Sequence, residues 1–368
     1  MLGPASQTLV RKSAITTFSL AILVCFSISS RAQKYQQTNL VSDLPGLALH
    51  TDSNLVNPWG LAASPNGSPW WVADNGTGVS TLYLGSGAKV ALTVTIPPPP
   101  GGTPPSTPTG IVFNGSSDFA GARFIFVSEE GTISGWNPAI SPLSATLEFT
   151  SPVQAVYKGV TIAQVNGVNF LYVANFFNAS IDVFDTNYMP ASAPPGAFSD
   201  PQIPTGFAPF NVQNIDGKLF VAFAKQDDDK KDEVAGPKLG FVDAFDANGT
   251  LLQRFEHGPW MNAPWGLALA PSDFGKASNR LLVGQFGDGK IATFDAATGE
   301  FEGLLRGRRG RPIQIDGLWA LRFGNGGSAG PTKTLFFTAG IDDEAHGLFG
   351  TITPIPKKHN DDDDDGDG

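Results

Sequence analysis

Asn57-Pro-Trp-Gly-Leu-Ala-Ala63 is followed by Trp70-Trp-Val-Ala-Asp-Asn75 and, past a glycine turn, by Ser80-Thr-Leu-Tyr-Leu84. The same order returns far downstream as Asn262-Ala-Pro-Trp-Gly-Leu-Ala-Leu269, Arg280-Leu-Leu-Val-Gly-Gln285 and Lys290-Ile-Ala-Thr-Phe-Asp295. Four looser copies complete the series. They open on Pro108-Thr-Gly-Ile-Val-Phe113, Tyr157-Lys-Gly-Val-Thr-Ile-Ala163, Ala208-Pro-Phe-Asn-Val-Gln213 and Asp316-Gly-Leu-Trp-Ala-Leu-Arg-Phe323. Aligned on the small residue of the first segment, the copies fall at Gly60, Gly110, Gly159, Asn211, Gly266 and Ala320. A repeat of about fifty residues with three or four short β-rich runs cannot bury both faces alone, so its copies must stack around a ring. The expected fold is all-β, a six-bladed β-propeller, with each glycine on an innermost strand where blades crowd the axis.

The sixth copy supplies only three strand-like runs before Pro354 and Pro356, while Tyr35–Val41 precedes the first copy as a spare apolar-polar segment. Pairing the two ends would close the ring and remove an open edge. Residues 35–356 are thus expected to form one propeller domain, ahead of a solvated acidic tail at 357–368. Composition agrees. The 368 residues include 43 Gly, 29 Pro and 27 Phe, with only 16 % charged positions, which suits short strands joined by turns rather than disorder or collagen. Two stretches break the rhythm: Pro97–Pro108, rich in proline, and the charged run Gln226–Lys238 inside the fourth copy. Long surface loops are where function concentrates, although an insertion can also be merely tolerated.

Residues 1–32 have the layout of a cleaved signal peptide: Arg11 and Lys12, the apolar run Ala14–Ile28, then small residues before Gln33. The single cysteine, Cys25, lies inside that run without a lipobox, so the mature chain offers neither disulfides nor a thiolate site. Without Arg11, Lys12 and Arg31 the net charge of −10 becomes −13, which argues against nucleic acid and anionic membranes as partners. The expectation is a soluble monomer, secreted or periplasmic, not inserted in a membrane once the signal is cleaved.

Strands alternate within a blade, so the loop leading into the first strand and the end of the second strand share one mouth of the channel. Asn57, Trp59, Asn262, Trp265 and Trp319 lie at the former; Asp74, Asn75, Glu129, Asn175, Lys225, Gln285 and Gly340 lie at the latter. Asn57, Trp59, Asp74, Asn75, Asn175, Asn262, Trp265, Gln285 and Trp319 are the candidate ligand-binding set, because aromatic-rimmed concave mouths with convergent polar groups bind ligands on such scaffolds. Their partner would be a small molecule, a glycan or a protein segment. Asp74, Glu129 and Asn175 are hard oxygen donors and the candidate set for calcium, the one cofactor the sequence suggests. Phe184-Asp185, Phe245-Asp246 and Phe294-Asp295 read instead as hairpin turns. Gly326-Gly-Ser-Ala-Gly330 has the letters of a nucleophile elbow, but Pro331 and Thr332 follow where a helix is needed. His50, His257 and His346 lack zinc spacing.

Asn54–Ala62 with Trp71–Gly78, Gly240–Asp246, Asp316–Trp319 and Gly347–Gly350 resemble an uncharacterised bacterial family of exported propellers. The likeness spans about residues 35–355 and implies the same fold without any known activity or catalytic residue. More distantly the repeats are similar to NHL and gluconolactonase-type propellers, where a channel metal assists lactone hydrolysis. Two functions follow as expectations: a binding module working through one channel mouth or, alternatively, a calcium-assisted, lactonase-like hydrolase in the same mouth.

Overall fold

The computed structural model describes residues 1–3 and 33–356; the expected leader and acidic tail lie outside the described residues. Residues from Gln33 onward build six sheets, each a blade. Blade 1 runs Pro58–Ala62, Trp70–Asp74, Val79–Tyr83 and Lys89–Thr95, each strand pairing with the next. The first strands of blades 2 to 6 are Pro108–Phe113, Tyr157–Val165, Phe207–Ile215, Pro264–Leu269 and Leu318–Phe323. Among the described residues, no helix is long and apolar enough to cross a membrane.

Blades are thin because each buries its side chains against a neighbour. One apolar cluster joins blades 1 and 2 through Trp71, Leu82, Ile111 and Phe126; another joins blades 3 and 4 through Tyr172, Val212 and Phe245. The core is therefore a set of inter-blade layers.

The repeat glycines explain how the layers meet. A Cβ on Gly60 would lie 2.6 Å from the carbonyl oxygen of Thr109, and one on Gly266 would lie 2.6 Å from that of Trp319. Each contact is with backbone of the next blade's first strand. At Asn211, where the repeat has no glycine, the side chain spans the gap: its Nδ2 donates to the carbonyl of Trp265 at 2.7 Å.

Tyr35–Ser42 pairs antiparallel with His346–Pro354, the third strand of blade 6, and closes the ring. Its Tyr35 hydroxyl donates to the carbonyl of Phe274 and accepts from the amide of Ala277, tying the closing strand to blade 5. Asp185, Asp246 and Asp295 each accept two backbone N–H groups of their own hairpin, as turn chemistry predicts. The Gly326–Gly330 segment is a loop between Leu318–Phe323 and the strand Leu335–Ile341.

Candidate functional site at the propeller hub

All six first strands carry the same irregularity. Pairing with the second strand slips between Pro58 and Leu61, Pro108 and Ile111, Tyr157 and Val160, Pro209 and Asn211, Pro264 and Gly266, and Leu318 and Leu321. Bulges re-aim side chains. The residues left unpaired include Trp59, Thr109, Lys158, Phe210, Trp265 and Trp319, each just ahead of the small repeat residue. Four of them meet as an aromatic plug. Trp59 stacks on Trp319 with ring centroids 3.5 Å apart and meets Trp265 and Phe210 edge-on at 6.2 and 6.3 Å. The plug closes the axis, so the channel becomes two separate mouths.

A second ring covers the plug where the first strands begin. Asn75, Glu129, Phe176, Gln226, Phe286 and Gly340 each donate their backbone N–H to the residue leading into the neighbouring first strand. Phe286 stacks on Trp319 at 4.1 Å, and Phe176 packs on Phe210. Lys158 rises between the rings with its side chain wholly buried. Its ammonium lies 4.7 Å from the centroid of Trp59 and 5.9 Å from those of Phe176 and Phe210. It also pairs with Glu129 at 2.7 Å and Asp232 at 3.4 Å. Asn75 links Glu129 to Asn57, which accepts from the indole of Trp319 at 3.0 Å and donates to Glu344 at 2.6 Å.

Electrostatics here is unbalanced. Burial opposes the charge on Lys158, but Glu129, Glu233 and Asp232 more than offset it and hold the ammonium protonated. Burial likewise opposes ionised Glu129, and Lys158 wins, keeping that carboxyl below its usual range. Glu233 has no such direct partner; burial pushes it to about 8, with Glu344 and Asp232 adding to the rise against the pull of Lys158. Glu344 is also raised, mainly by burial. A raised folded-state carboxyl stabilises the fold at low pH and loses that contribution as pH climbs from the unfolded value, about 4.3, to about 8. Glu233→Gln is therefore expected to flatten the fall in stability across that window and to be more stable than the parent above pH 8. Urea denaturation at a series of pH values checks this; identical slopes would contradict it.

The charged run Gln226–Lys238 forms the cover. Gln226 donates to the carbonyl of Phe176, Asp232 reaches Lys158, and the amide of Gly236 donates to Asn262 Oδ1 at 2.6 Å. The loop thus reaches from blade 3 across the hub to blade 5.

Several sequence expectations change. Trp59, Trp265 and Trp319 are the buried plug beneath the mouth, not its rim. Asp74 turns into its own blade, accepting from the amide and hydroxyl of Thr81 at 3.0 and 2.8 Å. Asn175 likewise engages Asp182 and the amide of Asn178. Asn262 and Gln285 stay at the mouth but bond each other, with Gln285 Oε1 accepting from the Asn262 amide. Asn57 and Asn75 do join the polar network. The proposed calcium set is not assembled, because Glu129 does not share the register of Asp74 and Asn175. Asp74 and Asn175 pair with Pro58 and Tyr157, but the residue in that register in blade 2 is Ser128. Glu129 is one position further, and a one-residue step flips a strand side chain to the opposite face. Among the described residues no group of three or more His, Cys, Asp or Glu side chains is arranged to hold a metal. Lys158, Phe210, Glu233 and Glu344 were missed. Signals existed for three of them: Lys158 is the one charged residue, and Phe210 an aromatic one, immediately ahead of the aligned small residues, and Glu233 lies in the charged run 226–238.

Fold and hub define a six-bladed β-propeller with a plugged axis and a covered, carboxylate-rich mouth. No family model matches the chain. Two proteins of Acanthamoeba polyphaga mimivirus, "Uncharacterized protein R648" and "Uncharacterized protein L690", are each 33 % identical to it over 332 residues. These alignments cover 85 % of this chain and 78 % and 84 % of the viral proteins. The chain belongs to their family. A solved structure described as glucose dehydrogenase has 12 % identity and a TM-score of 0.50, covering 88 % of this chain and all of that one; the likeness is one of fold alone.

Proposed function

We propose that the protein is a binding module whose covered mouth takes a small polar ligand bearing a positive charge. One observation carries this: the carboxyl groups of Glu129, Asp232, Glu233 and Glu344 gather around the buried ammonium of Lys158, with Lys231 also acting on Glu129, so acidic groups outnumber these two cations. A further cation would relieve the repulsion that helps to keep Glu233 and Glu344 raised. The aromatic floor already holds one ammonium at cation–π distance, which suits an amine better than a neutral sugar. The ligand enters by displacing the 226–238 cover. The hydrolase alternative has lost the calcium donors on which it rested, although a Glu233 that stays protonated at neutral pH is a fit proton donor. The leader-like residues 1–32 and the absence of cysteine beyond them support export.

Calorimetric titration of the full chain with spermidine, glucose and calcium tests the proposal. Spermidine should bind saturably and release protons near pH 8, and Glu344→Gln should weaken it roughly tenfold, the size of one lost charge contact. Preference for glucose or calcium over spermidine, or unchanged affinity in Glu344→Gln, would overturn the proposal.

A further inference from the structure

The opposite mouth, where the first strands end, carries a different chemistry. A cavity of about 480 Å3 opens there, lined by Thr161, Gln213, Asn214, Arg322 and Asn325 together with apolar residues. A narrow space lined by Gly60, Gly110 and Ala320 shares Gln213 and Arg322 with the wider cavity. Neither lining contains an aspartate or glutamate.

Arg322 stands at the join. Its Nε donates to the carbonyl of Leu61 at 3.2 Å. No other hydrogen bond and no carboxylate within 4.0 Å engages the guanidinium among the described residues, whereas Arg254 and Arg280 both have acidic partners. Burial lowers its pKa to about 10, so it remains charged at neutral pH. Thr161, Gln213 and Asn214 line the same cavity as Arg322. Thr161 Oγ1 accepts from the Asn214 amide at 3.1 Å, which leaves its hydrogen to donate. A charged guanidinium held in a channel without a counter-charge is costly, and a bound anion removes that cost.

We propose that this second mouth is a binding site for an oxyanion, a carboxylate or phosphate on a small molecule, held by the free fork of Arg322 with Thr161 and Gln213 beside it. Guanidinium matches both groups in bidentate geometry, and the cavity falls within the roughly 300–1,000 Å3 of small-molecule sites. The two mouths then have opposite preferences, separated by the aromatic plug.

Titration of the full chain with inorganic phosphate and with succinate at low salt, followed by calorimetry and thermal shift, tests the site. At least one anion should bind with one-to-one stoichiometry. Arg322→Gln should weaken it at least roughly tenfold, while Arg308→Gln, an exposed arginine elsewhere, should leave it unchanged. Should Arg322→Gln fail to fold, Arg322→Lys keeps the charge but not the fork, and must still bind more weakly. Failure of both anions to bind at millimolar concentration, or affinity that is indifferent to Arg322 or equally sensitive to Arg308, would overturn the proposal. Amine binding at the other mouth is read separately and is untouched by either result.

Discussion

Lys158→Met should cost the propeller about 3–5 kcal/mol at pH 7, the largest loss expected of any hub side chain. The figure follows from what remains behind. Glu129 is only 10 % exposed, and the ammonium at 2.7 Å is what keeps it ionised there. Remove the ammonium and a carboxylate is stranded beneath the 226–238 cover, with the cation–π contact to Trp59 lost as well. The variant has two remedies. Changing Glu129 to glutamine in the same chain should restore most of the loss, since the pair then disappears as a unit. Lowering the pH should also help. In the parent, Glu129 titrates below its unfolded value and supplies stability that is lost as pH falls through the folded value. In the variant the shift reverses, so stability is gained on acidification and the gap between the two chains narrows. Chemical denaturation of parent, single and double variants measures both effects. A Lys158→Met chain within about 1 kcal/mol of the parent, the range of an exposed ion pair, would mean that the hub is open to water.

Gly60→Val and Gly266→Val should each cost about 3 kcal/mol or more, at the upper end of overpacking effects. Their first added carbon would lie 2.6 Å from a backbone carbonyl of the adjoining blade. A side chain in the way could rotate; a first strand held by its own sheet cannot yield without opening the inter-blade layer. Gly307→Ala is the control, because the nearest atom to its added carbon is 3.7 Å away and the change should stay within about 0.5 kcal/mol. Thermal or urea unfolding of the three variants distinguishes a crowded hub from a general intolerance of glycine replacement. Equal losses at Gly60 and Gly307 would contradict the packing argument.

The closing strand and the crowded glycines were legible for the same reason: both are repeated or edge-related patterns that need no partner strand to interpret. The site was legible only in outline. Asn57 and Asn75 belong to the mouth network and the Gln226–Lys238 run stands out as a possible functional loop, yet the side chains of Asp74 and Asn175 bond within their own blades. Glu129 was chosen for the wrong companions. Its true partners, Lys158 and Asn75, come from the blades on either side at sequence separations of 29 and 54 residues, and no local pattern connects them.

Blade number, ring closure and the demand for small residues at the axis were set by the amino-acid order itself, because a fifty-residue period repeats the same local chemistry six times. Which side chains face the hub was decided by the assembled sheets. A bulge exists only as two residues set against one on a neighbouring strand, and a single-residue slip exchanges the two faces of a strand. Those pairings turned Lys158 and four aromatic rings toward the axis, and folded the charged loop over them.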